Sequence, residues 1–291
     1  MKITSFLPDW LYFHLVYFRT FHRVGQFAKP KRFSEKLFSR MISPLPEFSV
    51  LADKVAVREY VKNIVGKNYL IPVHGVFPSI TYDIFAKLPD GIVIKGNHGA
   101  GQAIIIRNKS DVSFDFVFTE TNKWISVDYG KKYREQHYSS IKPRIIVEQA
   151  LLNNGKPPKD FKVHVFKKNN DTPPLFFIQI IDGRGNNLTQ SIYTETWEKA
   201  PFWRDGYKES HYTDDTPKPK QLNEMLGVAE KLTGSLGYAR IDFYIHNNRI
   251  YFGEITLTPF GGRIRLTPGN YDRLLGDRFS WPDHFNQITN K

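Results

Sequence analysis

The chain of 291 residues contains no cysteine. Disulfides, thiolate metal sites and a cysteine nucleophile are therefore excluded, and a reducing, cytoplasmic setting fits. Long hydrophobic runs are also missing. The most apolar stretch, WLYFHLVYF from Trp10 to Phe18, is interrupted by His14 and followed by Arg19 and Arg23. It is too short to cross a bilayer and predicts a helix that packs on the protein, with a membrane surface as the other partner it could meet. The start MKITSF has one lysine and no small-residue cleavage site, so no signal peptide is expected. The nine histidines show no metal spacing such as HExxH. No internal repeat or low-complexity segment is visible.

Acidic residues are the scarcer charge. Against 41 Lys and Arg stand 29 Asp and Glu, a net charge of +12. That balance suits a nucleotide, nucleic acid, anionic lipid or acidic sugar as partner, or a merely basic enzyme. Hydrophobic residues at 41% and aromatics at 15% describe a globular chain with an ample core.

Residues 1–49 are basic and helical in pattern, closed by the turn Ser43-Pro44-Leu45-Pro46. In LADKVAVREYVKNIVG, Leu51, Val55, Val57, Val61 and Val65 recur at helical spacing and Gly66 suits a C-cap, which predicts one helix. DGIVIKGNHGAGQAIIIRNKS, Asp90 to Ser110, predicts strand, glycine-rich turn, strand. A helix is expected around Asn122–Tyr129. RIIVEQALL, DFKVHVFKK and PLFFIQIID predict strands. Residues 183–215, with Trp197, Trp203, Tyr207, His211 and Tyr212, show no periodicity and predict an irregular loop. KPKQLNEMLGVAEKLTGSLG predicts an amphipathic helix, and ARIDFYIHNNRIYFGEITLTPFGG a hairpin turning at His246-Asn247-Asn248.

Two features carry chemistry. The first is the pair of acids in that hairpin. Asp242 lies among Ile241, Phe243 and Tyr244, and Glu254 among Phe252, Gly253 and Ile255. A carboxylate in an apolar strand is costly unless paired. A magnesium ion, which needs few protein oxygens, would resolve the cost, and so would ion pairs with Arg240, Arg249 or Arg263. Spacing alone leaves both open. The second is IVIKGNHGAGQAIII, where Lys95 ends an apolar strand and Gly96, Gly99 and Gly101 follow. Backbone N–H groups in such a loop can approach phosphate oxygens, with the lysine as a point charge. It is neither a Walker A nor a Rossmann sequence.

In order, LADKVAVREYV, VIKGNHGAGQAIII, RIIVEQAL, DFKVHVF, ARIDFYI and FGEITLTP resemble the ATP-grasp superfamily, over roughly residues 51–265. KPKRFSEKL, PVHGVF and KGNHGAG resemble the TupA-like branch, associated with teichuronopeptide and polysaccharide biosynthesis, over nearly the whole chain. The resemblance implies an α+β fold: two α+β subdomains with antiparallel sheets clamping ATP, plus a short helical N-terminal region. The expected division is 1–49, 50–146 with the phosphate loop, and 147–291 with hinge and metal site.

Carried over residue by residue, the resemblance gives Lys95 to the nucleotide phosphates and His98, Gly99, Ala100, Gly101 and Gln102 to the loop above them. Glu148 ends the hinge strand, and Gln149, Ala150 and Leu151 face adenine. Asp160 corresponds to a ribose-binding acid and Lys162 to a base near the terminal phosphate. Asp242 and Glu254 correspond to magnesium ligands, with Thr256 where the family usually has asparagine. Arg240 corresponds to an arginine that steadies charge on the reacting carboxylate. Beyond the resemblance, Arg263 and Arg265 alternate on an extended segment, and Arg263 is the candidate for binding an acceptor carboxylate. The implied reaction is amide formation by a carboxylate–amine ligase, with ATP and Mg2+ as cofactors. The implied partners are an acidic sugar or polysaccharide precursor and an amino acid or small amine, with no nucleic acid. A glycosyltransferase or a non-catalytic ATP-binding scaffold are the other readings.

Overall fold

A computed structural model describes residues 7–169, 171–182, 189–204 and 216–280. The elements follow in chain order. Helices α1 (Asp9–Phe21), α2 (Phe33–Ile42), α3 (Glu47–Ala52) and α4 (Val57–Val65) come first. Strand β1 (Val73–Phe77), α5 (Tyr82–Lys87), β2 (Ile92–Gly96), β3 (Ala103–Ile106), α6 (Phe114–Ile125), α7 (Tyr129–Tyr133) and β4 (Ile145–Gln149) follow. Then come β5 (Asp160–Phe166), β6 (Leu175–Asp182), β7 (Thr189–Thr194), β8 (Trp203–Arg204), α8 (Leu222–Thr233), β9 (Tyr238–His246), β10 (Arg249–Thr256), β11 (Leu266–Thr267) and α9 (Tyr271–Asp277). The architecture is α+β, with sheets of order β1-β4-β2-β3, β10-β9-β5-β6-β7 and β11-β8. Every strand pair with a recorded register in these sheets is antiparallel.

Three sequence expectations need correction. The single helix over 51–66 is two helices, because the Asp53 carboxylate accepts the Val55 N–H at 2.8 Å and ends α3. The helix around Asn122 begins earlier, at Phe114, where the Ser113 hydroxyl caps the Phe116 N–H. Within 183–215, Thr189–Thr194 forms a strand paired with β6, and Trp203–Arg204 pairs with Leu266–Thr267. No alternation of apolar and polar residues marks β7, because Gln190, Ser191, Ile192 and Tyr193 are all buried. Tyr207, His211 and Tyr212 lie outside the described residues.

The chain forms two compact units. One comprises Met1–Leu45, Asp160–Asp242 and Thr256–Lys291, the other Pro46–Lys159 and Phe243–Ile255. These divisions fall at other positions than the 1–49, 50–146 and 147–291 expected from sequence. Strands β9 and β10 each contribute residues to both units.

In the second unit, β2 and β4 are the central strands of the four-stranded sheet. Ile92, Ile94, Ile145 and Val147 point into a core shared with Phe85, Leu88 and Val117. Alternation does the rest, placing Lys95 and Glu148 among the residues of the opposite face.

In the first unit, helix α2 is buried almost throughout. Glu35 starts it by accepting the N–H groups of Lys31 and Arg32 at 2.9 and 3.0 Å. Helix α1 packs Phe13 and Tyr17 onto Phe38 and Met41, leaving Trp10, Leu15 and Phe18 exposed. The other side of α2 meets α9. There Asp272 accepts from the Ser34 N–H and hydroxyl at 2.8 Å each, and Lys36 donates to the carbonyls of Gly276 and Phe279. Among the described residues no helix is long and apolar enough to cross a membrane.

Arg40 shows how much α2 holds in place. It is fully buried, donates to the carbonyls of Leu257 and Leu236 at 3.1 and 2.5 Å, and lies over the Phe279 ring at 4.5 Å. Arg40→Ala would strand two buried carbonyls and leave a cavity. The expected loss is about 3 kcal/mol or more, seen as a lower urea midpoint.

Candidate active site

Antiparallel register builds the first polar cluster, in the second unit. Glu148 lies opposite Val93, so Lys95, two residues further on, is its diagonal neighbour on the same face. Their charged groups meet at 2.5 Å. Arg58, from α4, reaches Glu148 at 3.2 Å and the Ile71 carbonyl at 2.7 Å. One carboxylate thus faces two cations, a local excess of positive charge.

The loop after Lys95 is anchored from below. Asn97 is fully buried. It donates to Asp53 at 2.9 Å and to the Lys142 carbonyl at 3.1 Å, and accepts the Arg144 N–H at 2.7 Å. Lys54 donates to the Gly99 carbonyl at 2.6 Å and lies 3.6 Å from Glu254. His98 is buried, between the Trp124 carbonyl and Asn97, and burial lowers its pKa. Two glycines make room for neighbouring side chains, the movable Gln102 at one and a tyrosine ring at the other. A Cβ at Gly96 would stand 2.2 Å from Gln102 Oε1, and one at Gly99 would stand 2.8 Å from the Tyr129 ring.

The second cluster lies in the first unit. Alternation on β5 puts Asp160, Lys162 and His164 on one face, with Gln179 of β6 opposite Lys162. Residues Tyr238, Arg240 and Asp242 alternate in the same way on β9. Arg240 grips Asp242 with two parallel bonds, at 2.7 and 2.8 Å, and donates to the Thr256 hydroxyl at 2.9 Å. Lys162 bridges Asp160, at 2.9 Å, and Asp242. All four charged side chains are buried.

The profile described as TupA-like ATPgrasp matches residues 35–280, most of the chain. The chain belongs to the TupA-like ATP-grasp family. No curated protein sequence matches it significantly. Among solved structures it is similar to a D-alanine–D-alanine ligase from Bacillus anthracis complexed with ATP, at 13% identity, covering 72% of this chain and 54% of that one with a TM-score of 0.40. A D-alanine–D-alanine ligase from Helicobacter pylori shares 15% identity over 79% of this chain and 61% of its own, with a TM-score of 0.42. N5-carboxyaminoimidazole ribonucleotide synthetase from Thermus thermophilus shares 8%, over 72% and 45%, at 0.37. The chain spans less than two thirds of these three proteins. Likeness of this degree adds nothing to the family assignment.

The candidate residues of this ATP-grasp protein fall into separate groups. Lys95 joins Glu148. Asp160, Lys162, Arg240, Asp242 and Thr256 come together in the first unit, while Glu254 belongs to the second and meets Lys54. Asp160 is buried against Lys162 instead of standing at an open edge. The His98 side chain is committed to the loop's own support and Gly99 is buried beneath Tyr129, so Ala100, Gly101 and Gln102 form the accessible part of the loop. In the hinge, the N–H groups of Gln149 and Ala150 go to the carbonyls of Pro72 and Gly91. Arg263 and Arg265 are exposed, and Ile264 between them is buried.

Sequence reasoning missed Asp53, Lys54, Arg58 and Asn97. Their signal was faint: LADKVAVR reads as uninterrupted helix until Asp53 is seen to break it. Asp242 and Glu254 each offer hard carboxylate oxygens, the donor type magnesium takes, though they belong to different units. Among the described residues no group of three or more His, Asp or Glu is placed to hold a metal.

Lys95→Ala is expected to weaken ATP binding by about tenfold or more, as loss of a charged hydrogen bond implies, and well beyond Lys109→Ala; calorimetry decides. His164 offers a separate test, through pH. It is half-buried, and desolvation together with the Arg240 charge lowers its pKa from 6.5 to about 3. The unfolded chain therefore binds this proton better, so the stability is intact above pH 6.5 and is lost as pH falls toward 3. His164→Gln should flatten that acid limb by at most about 1.4 kcal/mol per pH unit, measured by urea unfolding from about pH 7 to about pH 3.5.

Proposed function

We propose that this protein is an ATP-dependent ligase that joins a carboxylate to an amine through an acyl phosphate. The supporting observation is the buried cluster in which Arg240 and Lys162 share Asp242. Two cations are held ready in a water-poor place, where charge interactions are strong. The cluster is neutral as a set. A lysine is a mobile point charge, so Lys162 can leave Asp242 for an incoming phosphoryl oxygen while the arginine fork stays fixed.

In this reading Lys95 and the N–H groups of the glycine loop take the ATP phosphates, and the adenine edge meets Leu151 and the hinge carbonyls. Asp242 and Glu254 would hold magnesium, which when bound supplies charge neutralisation at the phosphate oxygens. A substrate carboxylate oxygen attacks the γ-phosphorus and ADP leaves. The amine nitrogen then attacks the acyl carbon, phosphate departs, and the amine proton passes to solvent. Arg240 stabilises the oxyanion of that second step.

The resemblance to the polysaccharide-associated branch and the charge of +12 support an acidic sugar, a uronic acid of a capsular or cell-wall polymer, as the carboxylate. An amino acid or small amine is the acceptor. The exposed Trp10, Leu15 and Phe18 beside Arg19 support a peripheral membrane contact for α1. A non-catalytic ATP-binding role is favoured by one observation: Thr256, where asparagine is usual, is held by Arg240.

Phosphate release from ATP with candidate carboxylates, with and without amines, tests the reading. Glu254→Gln is the cleaner metal variant because Glu254 is partly exposed; a fall in turnover of about 100-fold or more is expected, and EDTA should stop the reaction. Asp242→Asn should do the same, but it leaves two buried cations facing one carboxylate, so about 3–5 kcal/mol of stability is lost with it. Full activity in either variant, or in EDTA, would reject the metal assignment. Arg263→Ala is expected to raise KM for the carboxylate with KM for ATP little changed.

A further inference from the structure

The polar face of the first unit's sheet carries a cavity of about 40 Å³. His164 and Gln179 form part of its lining, next to Lys162 along β5 and across to β6. Phe166, Phe177, Ile192 and Phe202 supply apolar walls, and Arg204 and Phe260 also line it. The polar lining groups are already engaged. His164 bonds the Tyr238 hydroxyl at 3.0 Å, and Gln179 donates to Gln190 at 2.8 Å.

The approach to this cavity is shaped with some strain. Phe260 has φ 57° and ψ 26°, a left-handed backbone in a bulky residue, which costs on the order of 1–3 kcal/mol and tends to persist where function requires it. Its ring, more than a third exposed, lies under the Arg204 guanidinium at 3.5 Å. Pairing of β8 with β11 brings Arg204 there, since Leu266 is its register partner. An ordinary packing defect needs neither a guanidinium stacked on an exposed ring nor a strained aromatic beside it.

We infer that this cavity is the specificity pocket for the small apolar side chain of the amine substrate, an amino acid of alanine-to-valine size. The inference rests on the ligase reading for the word amine. Size sets the limit. A single water needs roughly 10–15 Å³ and a cavity of roughly 150 Å³ takes benzene. The present cavity takes a few heavy atoms and no aromatic ring. Charge sets the second limit, because the walls are apolar and the one charged lining residue, Arg204, stacks on Phe260. A charged side chain would lose its hydration without a partner.

The test is a size ladder. Glycine, L-alanine, L-valine and L-phenylalanine are titrated by saturation-transfer NMR, with and without magnesium and a non-hydrolysable ATP analogue. Wild type should bind alanine and valine at least about tenfold more tightly than phenylalanine, the discrimination expected from pocket size. Ile192→Ala enlarges the pocket and should narrow that gap, whereas Ile192→Phe should lose valine. Thermal unfolding confirms that each variant is folded, and the two opposite changes guard against a merely structural effect. An order of affinities that neither variant alters, or no amino acid bound in either condition, overturns the pocket. Failure to bind the ATP analogue overturns the ligase reading instead, and the ladder without nucleotide still judges the pocket.

Discussion

Four charged side chains buried on one sheet face set the terms for the first unit. Removing Asp160, Lys162, Arg240 and Asp242 from water costs several kcal/mol per ion. The return comes only with good geometry, and the arginine fork on Asp242 provides it. Well-packed apolar residues would serve stability as well or better. A protein that keeps such a cluster keeps it for what it can do with charge. The surroundings are consistent with that. His164 stays neutral beside two cations, and Thr256 takes a further Arg240 hydrogen, so the cluster is held without extra charge.

The second unit solves a different problem, holding a glycine-rich loop in place without filling it. Asn97 acts from beneath, through Asp53, Lys142 and Arg144, and His98 is tied to α6. The support is thus polar and directional, while the loop's exposed surface is left to Ala100 and Gly101. Asp53 serves twice, since the bond that ends α3 also fixes the residue that accepts from Asn97. Local helix pattern and tertiary need conflict there, and the tertiary need prevails.

That conflict shows where the sequence was legible. The strands flanking Lys95 and the hairpin holding Asp242 stood out because apolar alternation is local, and Asn247 and Asn248, at φ 50° and 58°, supply the turn that such a hairpin requires. The candidate residues came from family likeness, and their grouping could not have been read from spacing. Lys162 meets Asp242 across 80 positions, and Arg58 meets Glu148 across 90. Strand β7 was missed because burial erased its polar alternation. Arg40, Asn97 and Lys54 gave no signal, being ordinary polar residues until their partners are in place.

The N-terminal helices illustrate the same limit and bear on the candidate acceptor region. Basic composition and a proline turn suggested a separate segment, yet α2 is core to its unit. The turn after β10 rests on it: a Cβ at Gly262 would stand 2.8 Å from the Phe38 ring and 3.1 Å from Met41. Gly262 also has φ 70°, so both space and backbone require glycine there. The position of Arg263 is consequently set from α2, more than two hundred residues earlier in the chain. Phe260, strained on the same turn, is held by that contact on one side and by Arg204 on the other. A side chain at Gly262 would lift the turn and shift Arg263 and Phe260 together, which ties the candidate carboxylate contact and the apolar cavity to one piece of packing.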